Sequence, residues 1–215
     1  RERSAKTAAQ LDLIHQNRIA EMKKQKFGFE LLKRLEGNVG YLDLRAFMDT
    51  TFAAEAAHKA MKELLKWDAV IIDLRENHGG SPTMIQLLSS YFISESTHLN
   101  SFYFRPTDAY SESWTLPHIP GKRRPDVALY LLTSSGTFSA AEEFANNLKQ
   151  LKRATIIGET TMGGAHPGGT VTVSSQFRVW IPQGRAITPI TQTNWEGTGV
   201  TPDIRIAADE ALIRA

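Results

Sequence analysis

Three short, nearly continuous apolar runs each lead through a small-residue turn, and the first two turns lead directly into a helix-like segment. The runs are Ala69-Val70-Ile71-Ile72-Asp73-Leu74, Val127 to Thr133, and Ala154 to Gly158. A strand that is apolar on every residue must be covered on both faces, as in the centre of a parallel sheet. Helix signals stand where crossovers are needed: Ala53 to Lys66, Pro82 to about Tyr91 and Ser139 to Lys149. The second of these opens with Ser81 as N-cap and Pro82 in the first turn. Val39 to Leu44 adds a further strand before the first of these helices. Strand, helix and strand in alternation give an α/β class with a parallel core. After Gly158 the texture changes to short alternating segments, Thr170–Val173 and Phe177–Ile181, which predict an antiparallel extension.

The segment ahead of this core reads differently. Residues 4–26 are rich in Ala, Leu, Gln, Lys and Glu and predict a helix, with Leu11, Ile14, Ile19 and Met22 forming a loose apolar stripe. Residues 1–36 carry nine Lys/Arg against five Asp/Glu, a net +4, which leaves −2 for the remainder. Residues 1–36 are therefore expected to be a linker helix, the remnant of an upstream helical domain, and residues 37–215 the core domain. Starting at Arg1 without a Met, the chain reads as a processed piece of a longer protein.

Composition narrows the function. There is no cysteine, which excludes disulfides, thiolate metal sites and a cysteine nucleophile. The formal net charge is +2 and no aromatic residues interleave the basic ones, so nucleic acid is not an expected partner. No run is long and apolar enough to be a transmembrane segment. No pair of the six histidines has the spacing of a zinc-binding helix. Neither a metal nor an organic cofactor is expected.

Two strand ends carry candidate chemistry. Asp73-Leu74-Arg75-Glu76-Asn77-His78-Gly79-Gly80 follows a buried strand, where α/β sheets bind ligands. Paired glycines let backbone N–H groups approach a substrate, which suits an oxyanion hole, and equally they make a tight turn. Thr133 to Phe144 is the second strand end. Ser139 there stands at a helix N-terminus, where free N–H groups favour developing negative charge. The Ala140 N–H would be a second oxyanion donor. Ser139 with Glu142 three residues on is also a good capping box, worth about 1 kcal/mol, so cap and nucleophile are both open readings.

These segments occur in an order that resembles the tail-specific, or C-terminal-processing, serine peptidases over most of residues 37–205. The resemblance rests on Gly40-Tyr41-Leu42-Asp43-Leu44, the Asp73–Gly80 segment, Phe138-Ser139-Ala140-Ala141-Glu142-Glu143-Phe144, Gly158-Glu159-Thr160-Thr161-Met162-Gly163-Gly164-Ala165 and Trp195-Glu196-Gly197-Thr198-Gly199-Val200-Thr201-Pro202-Asp203-Ile204. The Trp114-Thr115-Leu116-Pro117 and Trp195 segments resemble the branch that holds tricorn and the interphotoreceptor retinoid-binding protein repeats. The resemblance implies a Clp-protease/crotonase-like core of ββα units. It also implies a serine endopeptidase-type hydrolase acting on peptide or unfolded protein substrate, in an extracytoplasmic (periplasmic or secreted) setting.

Carried over by position, Ser139 falls on the nucleophile, and Gly79 or Gly80 with Ala140 on the oxyanion hole. The bacterial branch places a lysine base in the turn after the third buried strand. Here that turn reads Met162-Gly163-Gly164-Ala165-His166, without lysine. The tricorn-like branch uses a histidine from an upstream Asp-Gly-His segment and a glutamate, whose place Glu196 takes. No Asp-Gly-His occurs in this chain, so the expected base lies in the upstream domain of the parent protein and the fragment alone is expected to be nearly inert. His166 is the candidate substitute base, with His78 second. The alternative reading is a non-catalytic module that binds hydrophobic ligands, as the retinoid-binding repeats do. Acyl-CoA chemistry on the same scaffold lacks any segment that reads as a nucleotide site.

Overall fold

The computed structural model describes residues 8–215. The core is one six-stranded sheet in the order β1-β2-β3-β6-β7-β11. Its strands are β1 (Phe29–Leu35), β2 (Val39–Leu44), β3 (Ala69–Asp73), β6 (Ala128–Thr133), β7 (Thr155–Gly158) and β11 (Ile204–Arg205). All neighbours are parallel except β1, which pairs antiparallel with β2 at one edge. The helices α2 (Thr50–Leu64), α3 (Pro82–Phe92) and α4 (Ala140–Gln150) follow β2, β3 and β6 in the chain. The α/β architecture expected from the apolar runs is therefore present.

Local chemistry sets where the helices begin. The Asp49 carboxylate accepts the Thr51 N–H at 2.9 Å and opens α2, whose Ala53, Ala57, Ala60, Met61 and Leu64 are buried. Ser81 caps α3 through the Thr83 N–H, with Pro82 in the first turn. Helix α4 is the innermost: every residue from Ala140 to Leu148 is buried. Ala141, Phe144, Ala145 and Leu148 are fully enclosed in the main core cluster with Leu131 and Ile156 of the sheet.

Two smaller antiparallel pieces complete the molecule. One is a three-stranded sheet in the order β10-β4-β5, made of β4 (His98–Phe104), β5 (Ala109–Trp114) and β10 (Gly184–Ile187). The other is the hairpin of β8 (Gly168–Thr172) and β9 (Arg178–Pro182). The antiparallel region therefore draws on residues 98–114 as well as on the C-terminal third. A short helix, α5 (Ala211–Arg214), ends the chain.

At the N-terminus, α1 (Ala8–Lys24) lies within the helix expected over 4–26, whose first four residues fall outside the described part. Its Ile14 is exposed and Ile19 and Met22 are only half-buried, as a loose stripe implies. It meets the core through His15 and Arg18 against the Phe52 ring. The sequence reading puts the domain boundary between residues 36 and 37. The structure pairs Phe29–Leu35 antiparallel with β2, with a register shift between Phe29 and Leu31, so this strand, assigned to the linker, is part of the core sheet.

Candidate active site

Parallel pairing of β3 with β6 sets Asp73 opposite Leu132, so the loops that leave these two strands emerge side by side. They are bonded together. The Leu74 N–H donates to Leu132 O at 2.9 Å, the Phe138 N–H to Asn77 O at 3.0 Å, and the Thr137 hydroxyl to Leu74 O at 2.8 Å. Asn77 is fully buried and works as a clamp. Its Nδ2 donates to Leu44 O at 2.7 Å and its Oδ1 accepts the Gly79 N–H at 2.8 Å.

Glycines 79–80 and Ser139, some 60 residues apart in sequence, thus meet in space. Gly79 has φ +101°, and a Cβ on it would stand 2.8 Å from Ser139 Cβ and 2.9 Å from Ala140 N. Only glycine can pass this close. The two glycines then separate in role. The Gly79 N–H is taken by Asn77, whereas among the described residues the N–H groups of Gly80 and Ala140 donate to no other group. Gly80, Ser139 and Ala140 line one cavity of about 450 Å³.

Ser139 itself has φ 56° and ψ −120°, a left-handed backbone that a residue with a side chain adopts at a cost. A strand turning sharply into a helix produces this geometry and holds the hydroxyl out at the turn. The turn is fastened by Glu142, which is fully buried and accepts the Ser139 N–H at 2.8 Å. The same carboxylate accepts the Thr161 hydroxyl at 2.5 Å and the N–H groups of Gly163 and Gly164 at 2.6 and 2.8 Å. The capping partner seen in the sequence thus also anchors the glycine-rich turn after β7, which forms a wall of the cavity.

On that wall the carboxylate of Glu196 accepts the N–H of Ala165 at 2.7 Å and of His166 at 3.1 Å. The His166 Nδ1 stands 3.7 Å from the same oxygen, and both side chains line the cavity with Ser139. His78 points elsewhere, with its Nδ1 3.1 Å from Gly136 O and no part in the cavity lining. Of the two candidate histidines, His166 alone shares the cavity with the serine. Neither ring is hydrogen-bonded to the Ser139 hydroxyl.

The rest of the cavity is apolar, with Phe102, Phe138, Trp180 and Trp195 among its walls. Glu143, one residue beyond Glu142, lines it as well, a position that sequence reasoning did not single out. Burial pushes its carboxyl group up to about 7. Among the described residues no group of three or more His, Asp or Glu is placed to hold a metal ion, and no helix is long and apolar enough to cross a membrane.

A family model described as "Peptidase family S41" matches residues 38–206. The chain belongs to peptidase family S41. It is similar to the carboxy-terminal-processing protease of Bartonella bacilliformis, 27% identical over 175 residues that cover 80% of this chain and 39% of that protein. The carboxy-terminal processing protease CtpB of Bacillus subtilis is 26% identical over 178 residues, covering 81% and 35%. The chain thus spans well under half the length of these relatives. In fold it is similar to the photosystem II D1 C-terminal processing protease (TM-score 0.65, 24% identity, 84% of this chain and 48% of that one). Mature CPAF is similar too (TM-score 0.67, 16% identity, 84% and 50%).

Proposed function

We propose that this S41 chain is the catalytic core of a serine endopeptidase that opens peptide bonds through an acyl-enzyme on Ser139. The observation that carries the reading is the Ser139 turn. A serine held at φ 56° caps helix α4 beyond the end of the buried parallel strand β6, and its cavity holds the N–H groups of Gly80 and Ala140, which among the described residues donate to no other group. In such a site the hydroxyl oxygen attacks the peptide carbonyl, its proton passes to a base, and the N–H groups hold the oxyanion. The amine product departs with a proton, and water then releases the acyl group. Relatives named for carboxy-terminal processing support peptide or unfolded protein as substrate.

The base is a histidine supplied by an upstream helical domain of the parent protein. Among the described residues no lysine lines the cavity and no histidine is bonded to the Ser139 hydroxyl. Glu196, on the cavity wall, would orient such a ring. A second reading makes His166 the base, favoured by its place in the Ser139 cavity, 3.7 Å from Glu196.

A fluorophosphonate probe separates these readings. Labelling of Ser139 that rises strongly when the upstream segment is supplied, and is lost in Ser139→Ala, supports the first. Strong labelling of this chain alone, abolished by His166→Ala, makes His166 the base. No labelling in either setting, with tight binding of an apolar ligand, would transfer the site to the hydrophobic-ligand carrier class.

A further inference from the structure

Glu143 sits one helical turn beyond Ser139, its N–H donating to Ser139 O at 3.0 Å. Both residues line the same cavity. Glu143 is 5% exposed, and its Oε1 is buried with no hydrogen-bond partner among the described residues. Such an atom costs about 1–3 kcal/mol and calls for a partner. A carboxyl group in this state is either a structural defect or half of an interaction completed by something else.

The surroundings indicate what completes it. Among the described residues the charged or titratable groups of the cavity are Glu143, Glu196 and His166, with no lysine or arginine in the lining. Glu142, next along the helix, is already occupied by four donors. The Asn100 and Asn147 amides approach the Glu143 carboxyl group and favour its charged form, but burial outweighs them and neither carries a charge. Aromatic walls accept a long apolar stem and favour a cation over a ring face. A stem passing apolar walls to a buried acid with no cationic partner among the described residues describes a basic amino-acid side chain.

The geometry points to Glu143 as a specificity-determining residue, whose carboxyl group receives the ammonium or guanidinium tip of a basic substrate residue entering beside Ser139. This rests on the peptide-hydrolase reading of the same cavity and adds the substrate class. The bond is a charge-assisted one, made where water is excluded, so it discriminates strongly against an apolar residue of the same length.

Lysine and norleucine share a stem and differ by the ammonium group, which makes them the probe pair. Two peptides identical except for lysine or norleucine at one position are bound to the Ser139→Ala chain at mildly alkaline pH and followed by calorimetry. The lysine peptide is expected to bind about tenfold tighter. With Glu143→Gln added, that preference is expected to vanish. Equal binding of both peptides to the chain with Glu143 intact overturns the proposal, and this comparison needs no Glu143 variant to fold. A preference that survives Glu143→Gln overturns it as well. Hydrolysis of the same peptides by the unmutated chain with its upstream segment is read separately. A lysine preference in binding with no cleavage of either peptide would overturn the peptidase reading while leaving the Glu143 pocket in place.

Discussion

Glu142 accepts the backbone N–H of Ser139 at 2.8 Å while its two oxygens also hold Thr161, Gly163 and Gly164. One buried carboxylate therefore fixes the backbone of Ser139 and the opposite wall of the cavity in one frame. Glu142→Gln keeps the shape but turns one acceptor into an NH₂ facing donors. The expected loss is about 3 kcal/mol from an unmatched buried group. For a chain of this size that lowers Tm by roughly 10 °C. Calorimetry measures it, and a Tm equal to that of the unmutated chain would mean the turn does not depend on this carboxylate.

That frame also marks how far a sequence can be read. The central strands were legible because Ala69–Asp73 and Ala128–Thr133 are apolar on every face, a pattern that only a covered parallel sheet demands. The edge strand β1 was not. Phe29–Leu35 mixes Glu30, Lys33 and Arg34 with apolar residues in no clear alternation, and its place is settled by pairing with β2. The same holds for β4, whose partner β10 lies some 80 residues later. In the site, Ser139, Gly80 and Ala140 stood out because turns at strand ends concentrate them. Glu142 showed its capping role, since that is local, but not its bonds to residues 161–164, which come from a separate segment. Glu143 gave no signal, because adjacent glutamates in a first helical turn ordinarily read as charges that complement the helix dipole.

Ser139 is held at φ 56°, where glycine is at ease and alanine is not. Ser139→Ala and Ser139→Gly should both end labelling by a fluorophosphonate, since both remove the hydroxyl. They should differ in stability. The glycine variant is expected to unfold about 1 kcal/mol later than the alanine variant, through release of backbone strain. Paired urea titrations give the difference, and an alanine variant that is the more stable would show that this backbone is not strained.

Gly79→Ala tests the close passage of the two loops. The new methyl would meet Ser139 Cβ at 2.8 Å and Ala140 N at 2.9 Å, on a residue already at φ +101°. The serine turn must move, and with it the Ala140 N–H. Loss of a single oxyanion donor typically costs about 10²–10³ in rate. Labelling of Ser139, measured with its upstream segment present, should fall by about that factor, while the far-UV circular dichroism of the folded variant stays unchanged. Full labelling in this variant would place the oxyanion donors elsewhere.

The last expectation concerns pH. Burial raises the Glu143 carboxyl from 4.5 to about 7 in the folded chain. A group whose folded value is raised binds its proton more tightly when folded, so its contribution is complete at low pH. That contribution is lost as pH climbs from about 4.5 through about 7, where the folded protein must ionise a buried acid that the unfolded chain ionises freely. The loss is on the order of 3 kcal/mol once the group is fully charged. Glu143→Gln removes the titrating proton and keeps the volume. Its stability should therefore match that of the unmutated chain more closely at mildly acidic pH and exceed it at mildly alkaline pH. Urea unfolding of both proteins across that range reads the difference directly. A variant that is equally destabilised at every pH would show that the Glu143 carboxyl does not titrate with folding, and a basic peptide added above neutral pH should close the gap by pairing with the charged form.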